Sequence, residues 1–188
     1  MALVIDRAVR PLVLHLPAWV TPNAISIVRG LAVIPVVLVH REHPLIAGFG
    51  ILLPAMLLDL VDGPLARARG QVSQIGAFLD ATADKIFIHG VLWLACYPRI
   101  PLPAAVAMSY LDALLTVIRP MKRYLGMTAK ANDFGKWKTV FQAVGIGFYL
   151  VRLPILETLG LPILIGALVM AALSFGGHVR DLFRSNDF

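Results

Sequence analysis

Apolar residues run along this chain in blocks of roughly 20, the length a helix needs to cross a bilayer core, and Pro, Gly or charge separates one block from the next. The first opens at Thr21-Pro22, where threonine suits a helix N-cap and proline the first helical position, and continues through AISIVRGLAVIPVVLV. Further blocks occupy 45–66, 76–97, 101–119, 136–152 and 155–177. Neither strand-like alternation nor an internal repeat interrupts them. The pattern predicts an all-α integral membrane protein, with six transmembrane helices packed as a bundle over 22–178 inside a single domain, 1–188. Ahead of the bundle, Val4, Ala8, Leu12 and Leu16 recur at four-residue spacing opposite Asp6, Arg7 and Arg10, which predicts an interfacial amphipathic helix over 1–17. A signal peptide is the competing reading. Against it, the apolar run is short, broken by charge and followed by LPAWV rather than a small-x-small cleavage site.

Composition strengthens the membrane assignment. Of 188 residues 59% are hydrophobic and 15% charged, with a mean hydropathy of +0.80, against roughly 45–50% apolar in soluble domains. A lone cysteine, Cys96, excludes an intrachain disulfide and reads as a small buried residue. The net charge of +6 forms no polybasic tail, so nucleic acid is not an expected partner. It speaks to topology instead. One set of connections holds Arg7, Arg10, Arg67, Arg69, Lys122, Arg123, Lys130, Lys136, Lys138, Arg180 and Arg184, the other only Arg41, Arg99 and Arg152. The positive-inside rule puts the first set, and both termini, in the cytoplasm of a multi-pass protein of the inner membrane. A pI of 9.9 fits contact with anionic lipid. Arg29, Lys85 and Arg119 remain within or near the spans and require partners, with nearby carboxylates as candidates.

Those carboxylates lie in DLVDGPLARARGQVSQIGAFLDATAD, Asp59 to Asp84. A charged side chain at bilayer depth costs at least about 2.5–3.5 kcal/mol, so four aspartates in a membrane segment need a reason. Residues three or four apart share a helix face. Asp59, Asp62 and Ala66 therefore point one way at the end of one span, and Gly76, Asp80 and Asp84 do so at the start of the next. As antiparallel neighbours the two helices would aim both pairs at one point. Such a cluster stays ionised only beside cations, and hard oxygen donors select Mg2+ or Mn2+, with room for two ions. Gly63 and Gly76 remove side chains where something approaches the backbone, Ala66 keeps the face low, and Arg67 is placed to meet an anion.

Taken together, Asp59-x-x-Asp62-Gly63-x-x-Ala66-Arg67, eight residues, Gly76-x-x-x-Asp80-x-x-x-Asp84 resembles the signature of the CDP-alcohol phosphotransferase family, with every fixed position filled. The resemblance implies a six-helix membrane enzyme of phospholipid biosynthesis, a homodimer with its site at the cytosolic interface. Asp59, Asp62, Asp80 and Asp84 would hold metal, and Asp84 would also be the general base. Gly63, Ala66, Arg67 and Gly76 would bind the CDP portion of the donor, joined by Asn23 of the TPN segment. The flanks TPNAISIVR, GAFLDATADK and GKWKT are similar to the phosphatidylglycerophosphate and cardiolipin synthase branch, which implies CDP-diacylglycerol as donor.

For the acceptor, Arg119, Lys122, Arg123, Lys136 and Lys138 offer a basic pocket for a phosphate-bearing alcohol such as glycerol 3-phosphate. Leu111-Asp112 stands where phosphatidylglycerophosphate synthases commonly carry an Arg-Glu pair, which leaves a cardiolipin-type or other polyol acceptor open. Among weaker candidates, His89 reads as a bundle histidine, His40 and His43 as solvated, and Trp19, Trp137 and Tyr97 as interfacial anchors. A divalent-cation transporter and an aspartate-rich prenyltransferase are the rival classes. The first would distribute its acids through the membrane depth, and the second is usually longer and lacks the Asp-Gly and Ala-Arg elements.

Overall fold

Thr21 starts the first helix as its sequence predicts. Its hydroxyl accepts from the Ala24 amide at 3.2 Å, with Pro22 just inside the helix. The structure, a computed structural model, describes residues 16–17, 19–124, 126–127 and 133–185, so the interfacial helix expected over 1–17 lies almost wholly outside the described residues. All regular structure among them is helical. Helix α1 (Pro22–Leu31) and α2 (Val33–Val39) form one rod with a break at Ala32. Pro35 explains the break, because it offers no amide to the Leu31 carbonyl and its ring crowds that oxygen. A π-helical segment, Ile46–Leu52, leads into α3 (Leu53–Ala68). Pro54, which cannot donate to Gly50, sits where the wide turns give way to α-helix. Helix α4 (Gln74–Gly90) runs on into a second π-helical segment, Val91–Cys96. Helices α5 (Leu102–Tyr124), α6 (Asp133–Val151) and α7 (Pro154–Ser185) complete the chain.

Helical rods thus stand at the six expected places among the described residues. Three stretches, Pro22–Val39, Ile46–Ala68 and Pro154–Phe183, are long and apolar enough to cross a membrane, and Leu102–Ile118 is a shorter apolar helix. Large apolar side chains such as Leu38, Phe78, Val117 and Ile155 face outward, the arrangement expected where lipid rather than water is the solvent.

The chain divides into two compact units, Met1–Ala95 and Cys96–Phe188. In the first, α1 packs against both α3 and α4 and is the principal neighbour of each acidic helix. The two acidic helices, expected as antiparallel neighbours, are thus brought together chiefly through α1. Close approach depends on small residues. A Cβ on Gly30 would lie 3.3 Å from that of Ala83, and one on Gly90 would come within 2.5 Å of Val33. The turn between α3 and α4 is fixed at both ends. Gly70 takes a left-handed φ of 65°, and Gln71 donates back to the Ala66 carbonyl at 2.9 Å, closing α3 with a Schellman-type cap. Ser73 then caps α4, accepting from the Gly76 amide at 3.0 Å. Arg69 ties the turn to the approach to α1 by donating to the Val20 and Leu16 carbonyls, each at 2.6 Å.

In the second unit α6 and α7 pack most extensively, with α5 also against α7. Glycines again set the spacing. A Cβ on Gly145 would fall 2.7 Å from Leu164, and one on Gly160 2.7 Å from Tyr149. Cys96 is fully buried, as expected.

Candidate metal centre and adjoining cavity

Three helices of the first unit build the site. Asp59 and Asp62 stand on α3 and Asp80 on α4, and Arg29 reaches them from α1. One oxygen from each aspartate lies within 4.8 Å of the other two. The Arg29 guanidinium sits among them with its side chain wholly buried. Nη1 donates to Asp59 and, at 3.3 Å, to Asp62. Nη2 donates to the Asp80 carboxylate and, at 3.1 Å, to its backbone carbonyl. Asp62 is buried, whereas the side chains of Asp59 and Asp80 are 41% and 43% exposed. Three hard carboxylate donors at this spacing, open on one side and facing the Arg29 guanidinium, suit a divalent cation bound through oxygen.

Asp84 lies one turn beyond Asp80 on α4, half-buried, with Lys85 Nζ 3.8 Å from its carboxylate. It is not one of the three clustered aspartates.

Beside the cluster is a cavity of about 260 Å³, and the expected donor-binding residues Asn23, Gly63, Ala66, Arg67 and Gly76 all line it, together with Asp62 and Asp80. The two glycines differ in what they accommodate. A Cβ on Gly76 would meet Asn23 Oδ1 and Ser73 Oγ, both at 3.0 Å, so this glycine seats two polar side chains at the cavity rim. A Cβ on Gly63 would meet only the Arg67 guanidinium at ordinary contact, 3.5 Å.

Sequence reasoning did not single out Ser26, Gln71 and Ser73 on the cavity wall. For Ser73 the signal was available, since a serine three residues before Gly76 at a helix start is an N-cap pattern. Arg29 was flagged as a membrane cation with nearby carboxylates as candidate partners, and it pairs with three of them.

The basic residues expected at an acceptor lie in the second unit. Lys122 is buried, with Nζ 2.7 Å from Asp181 and 3.4 Å from His178 Nδ1. Lys138 is buried on Asp112, whose other oxygen accepts from Gln142 at 3.0 Å. Lys136 is exposed. Arg119 and Arg123 belong to α5, but their side chains lie outside the described residues. His40, expected to be solvated, is buried with Nδ1 2.7 Å from the Val37 carbonyl. The short α2 folds the ring back onto its own last turn. His43, Trp19, Trp137 and Tyr97 are exposed.

A family model described as CDP-alcohol phosphatidyltransferase matches residues 19–176. The CDP-diacylglycerol–glycerol-3-phosphate 3-phosphatidyltransferase of Mycoplasma pneumoniae is 32% identical over 111 residues, 58% of this chain and 49% of that protein. The probable phosphatidylglycerophosphate synthase of Mycobacterium tuberculosis is 31% identical over 139 residues, 70% of this chain and 66% of that one. Thus the chain spans about half the length of the first of these relatives. In fold it is similar to the phosphatidylinositol phosphate synthase of Mycobacterium tuberculosis crystallised with manganese and citrate. That match has a TM-score of 0.62 at 20% identity and covers 95% of this chain and 88% of that one. The same synthase has been crystallised with CDP-DAG bound.

Proposed function

The chain belongs to the CDP-alcohol phosphatidyltransferase family, and from that premise we propose that it transfers a phosphatidyl group from CDP-diacylglycerol to an alcohol, releasing CMP. The observation that carries this reading is the convergence of Asp59, Asp62 and Asp80, two of which, Asp62 and Asp80, line the cavity together with Asn23, Gly63, Ala66, Arg67 and Gly76. A divalent ion, Mg2+ or Mn2+, held by these carboxylates would neutralise diphosphate charge and act as a Lewis acid. With Asp84, four carboxylates suffice for a pair of ions.

The residues divide the remaining work. Arg67, at the cavity edge, faces the anionic donor, and Gly76 leaves the rim open where Asn23 and Ser73 present hydrogen-bonding oxygens. The acceptor oxygen forms a bond to the phosphorus that carries the diacylglycerol. The bond from that phosphorus to the bridging pyrophosphate oxygen breaks, and CMP leaves with the electron pair. Asp84 takes the hydroxyl proton, a role open to it because it stands beside the cluster rather than inside it.

Glycerol 3-phosphate is the acceptor most consistent with the relatives' names. A second reading, a cardiolipin-type or other polyol acceptor, is favoured by one observation. Lys122 and Lys138 already have carboxylate partners in Asp181 and Asp112, which reduces the positive charge they can offer an acceptor phosphate. Around this chemistry belong six spans in one domain, an inner-membrane location with cytosolic site and termini, and assembly as a homodimer. The test is purified protein with CDP-diacylglycerol, Mg2+ or Mn2+, and glycerol 3-phosphate, phosphatidylglycerol or inositol phosphate in turn. Metal-dependent CMP release with glycerol 3-phosphate supports the first reading, and release only with another alcohol supports the second. No release with any of them refutes the transferase assignment.

A further inference from the structure

The Arg29 guanidinium reaches all three aspartates of the candidate metal cluster. Its two terminal nitrogens are spread over the same three carboxylates that converge closely enough to ligate one ion. Carboxylates this close cannot all remain ionised without a compensating cation, and in the described structure Arg29 supplies one. Nor is its side chain locked from behind, because Nε is buried without a hydrogen-bond partner. The α1 backbone, by contrast, is held against α4 through the contact of Gly30 with Ala83. Any rearrangement therefore falls to the long side chain rather than the helix.

Building on the metal-binding reading above, we infer that Arg29 is an internal stand-in for the divalent ion. It holds the three aspartates together in the metal-free chain, and metal binding displaces it from them, so the two cations compete. Oxygens that accept from a guanidinium are poorer ligands, and a positive charge at hydrogen-bond distance repels an incoming ion. Arg29 is thus a positioning residue. It keeps the acidic nest assembled before metal arrives, at the expense of metal affinity.

The experiment uses the full chain, purified in detergent and stripped of metal, with Mn2+ titrated by calorimetry and melting temperature measured with and without Mn2+. Arg29→Gln is expected to melt lower without metal, to bind Mn2+ at least about tenfold more tightly than wild type, and to gain a larger Mn2+-induced rise in melting temperature. Should that variant not accumulate, Arg29→Lys decides. It keeps the charge but loses the fork that spans three carboxylates, and Mn2+ should bind more tightly than to wild type, though by a smaller factor. Weakened or unchanged Mn2+ affinity in the variant measured overturns the competition, since a guanidinium that prepares the ligands for metal would lose affinity when removed. Wild-type protein that binds no Mn2+ overturns the metal reading beneath it, and is distinguishable because no titration is then seen at all.

Discussion

In the first unit three carboxylates crowd around Arg29 with two of them about 40% exposed. In the second, Asp112 and Lys138 pair at 1% and 4% exposure, with Gln142 donating to the other Asp112 oxygen. Both are acid-base clusters within a largely apolar chain, yet their balance differs. Excess acid with an open side is unfinished, and a cation from solution can complete it. An enclosed pair has no such opening, and its worth lies in joining α5 to α6. The contrast separates carboxylates proposed to hold metal from carboxylates that hold helices, a distinction that residue type alone does not make.

The largest effect should come from disturbing the open cluster's edge. Asp84→Asn is expected to lower CMP release at least about 10³-fold while the protein melts within a few degrees of wild type, because the amide keeps the shape but cannot take a proton. Full turnover would remove Asp84 as the base. Next, Asp112→Ala leaves the Lys138 ammonium buried without its carboxylate, at a cost of about 3–5 kcal/mol in stability, measurable by chemical denaturation in detergent. Asp112→Leu combined with Lys138→Met should recover most of that loss. If the double variant is as unstable as the single one, the pair is more than a balanced brace.

Smaller changes sharpen the contrast. Gly76→Ala pushes a methyl group to within 3.0 Å of Asn23 and Ser73, and should raise the donor KM several-fold at a stability cost of about 1 kcal/mol. An unchanged KM would detach the cavity rim from donor binding. Arg99 pairs bidentately with Glu157 near the start of α7, but both are about one-third exposed. Arg99→Gln should therefore cost at most about 1 kcal/mol and leave turnover intact.

Much of the first unit was legible from spacing. The Thr21-Pro22 start, the two acidic faces and the small residues between them are local features that helical periodicity transmits directly. What brings the faces together was not local. Arg29 lies 30 residues before Asp59 and 51 before Asp80, and its insertion depends on α1 packing between its neighbours through Gly30. The second unit was harder to read, because buried and solvated lysines look alike in sequence. Lys138 and Gln142 do sit four apart on one face of α6, a sign of a shared partner, but Asp112 as that partner is fixed only by how α5 and α6 meet.

Mn2+ titration of metal-stripped wild type and Asp80→Asn, side by side, reaches the centre of the account. Wild type should show saturable binding and the variant binding weakened at least about a hundredfold, since one of three converging carboxylates has lost its charge. Equal affinity in the two proteins would mean that the acidic nest is not where the metal binds.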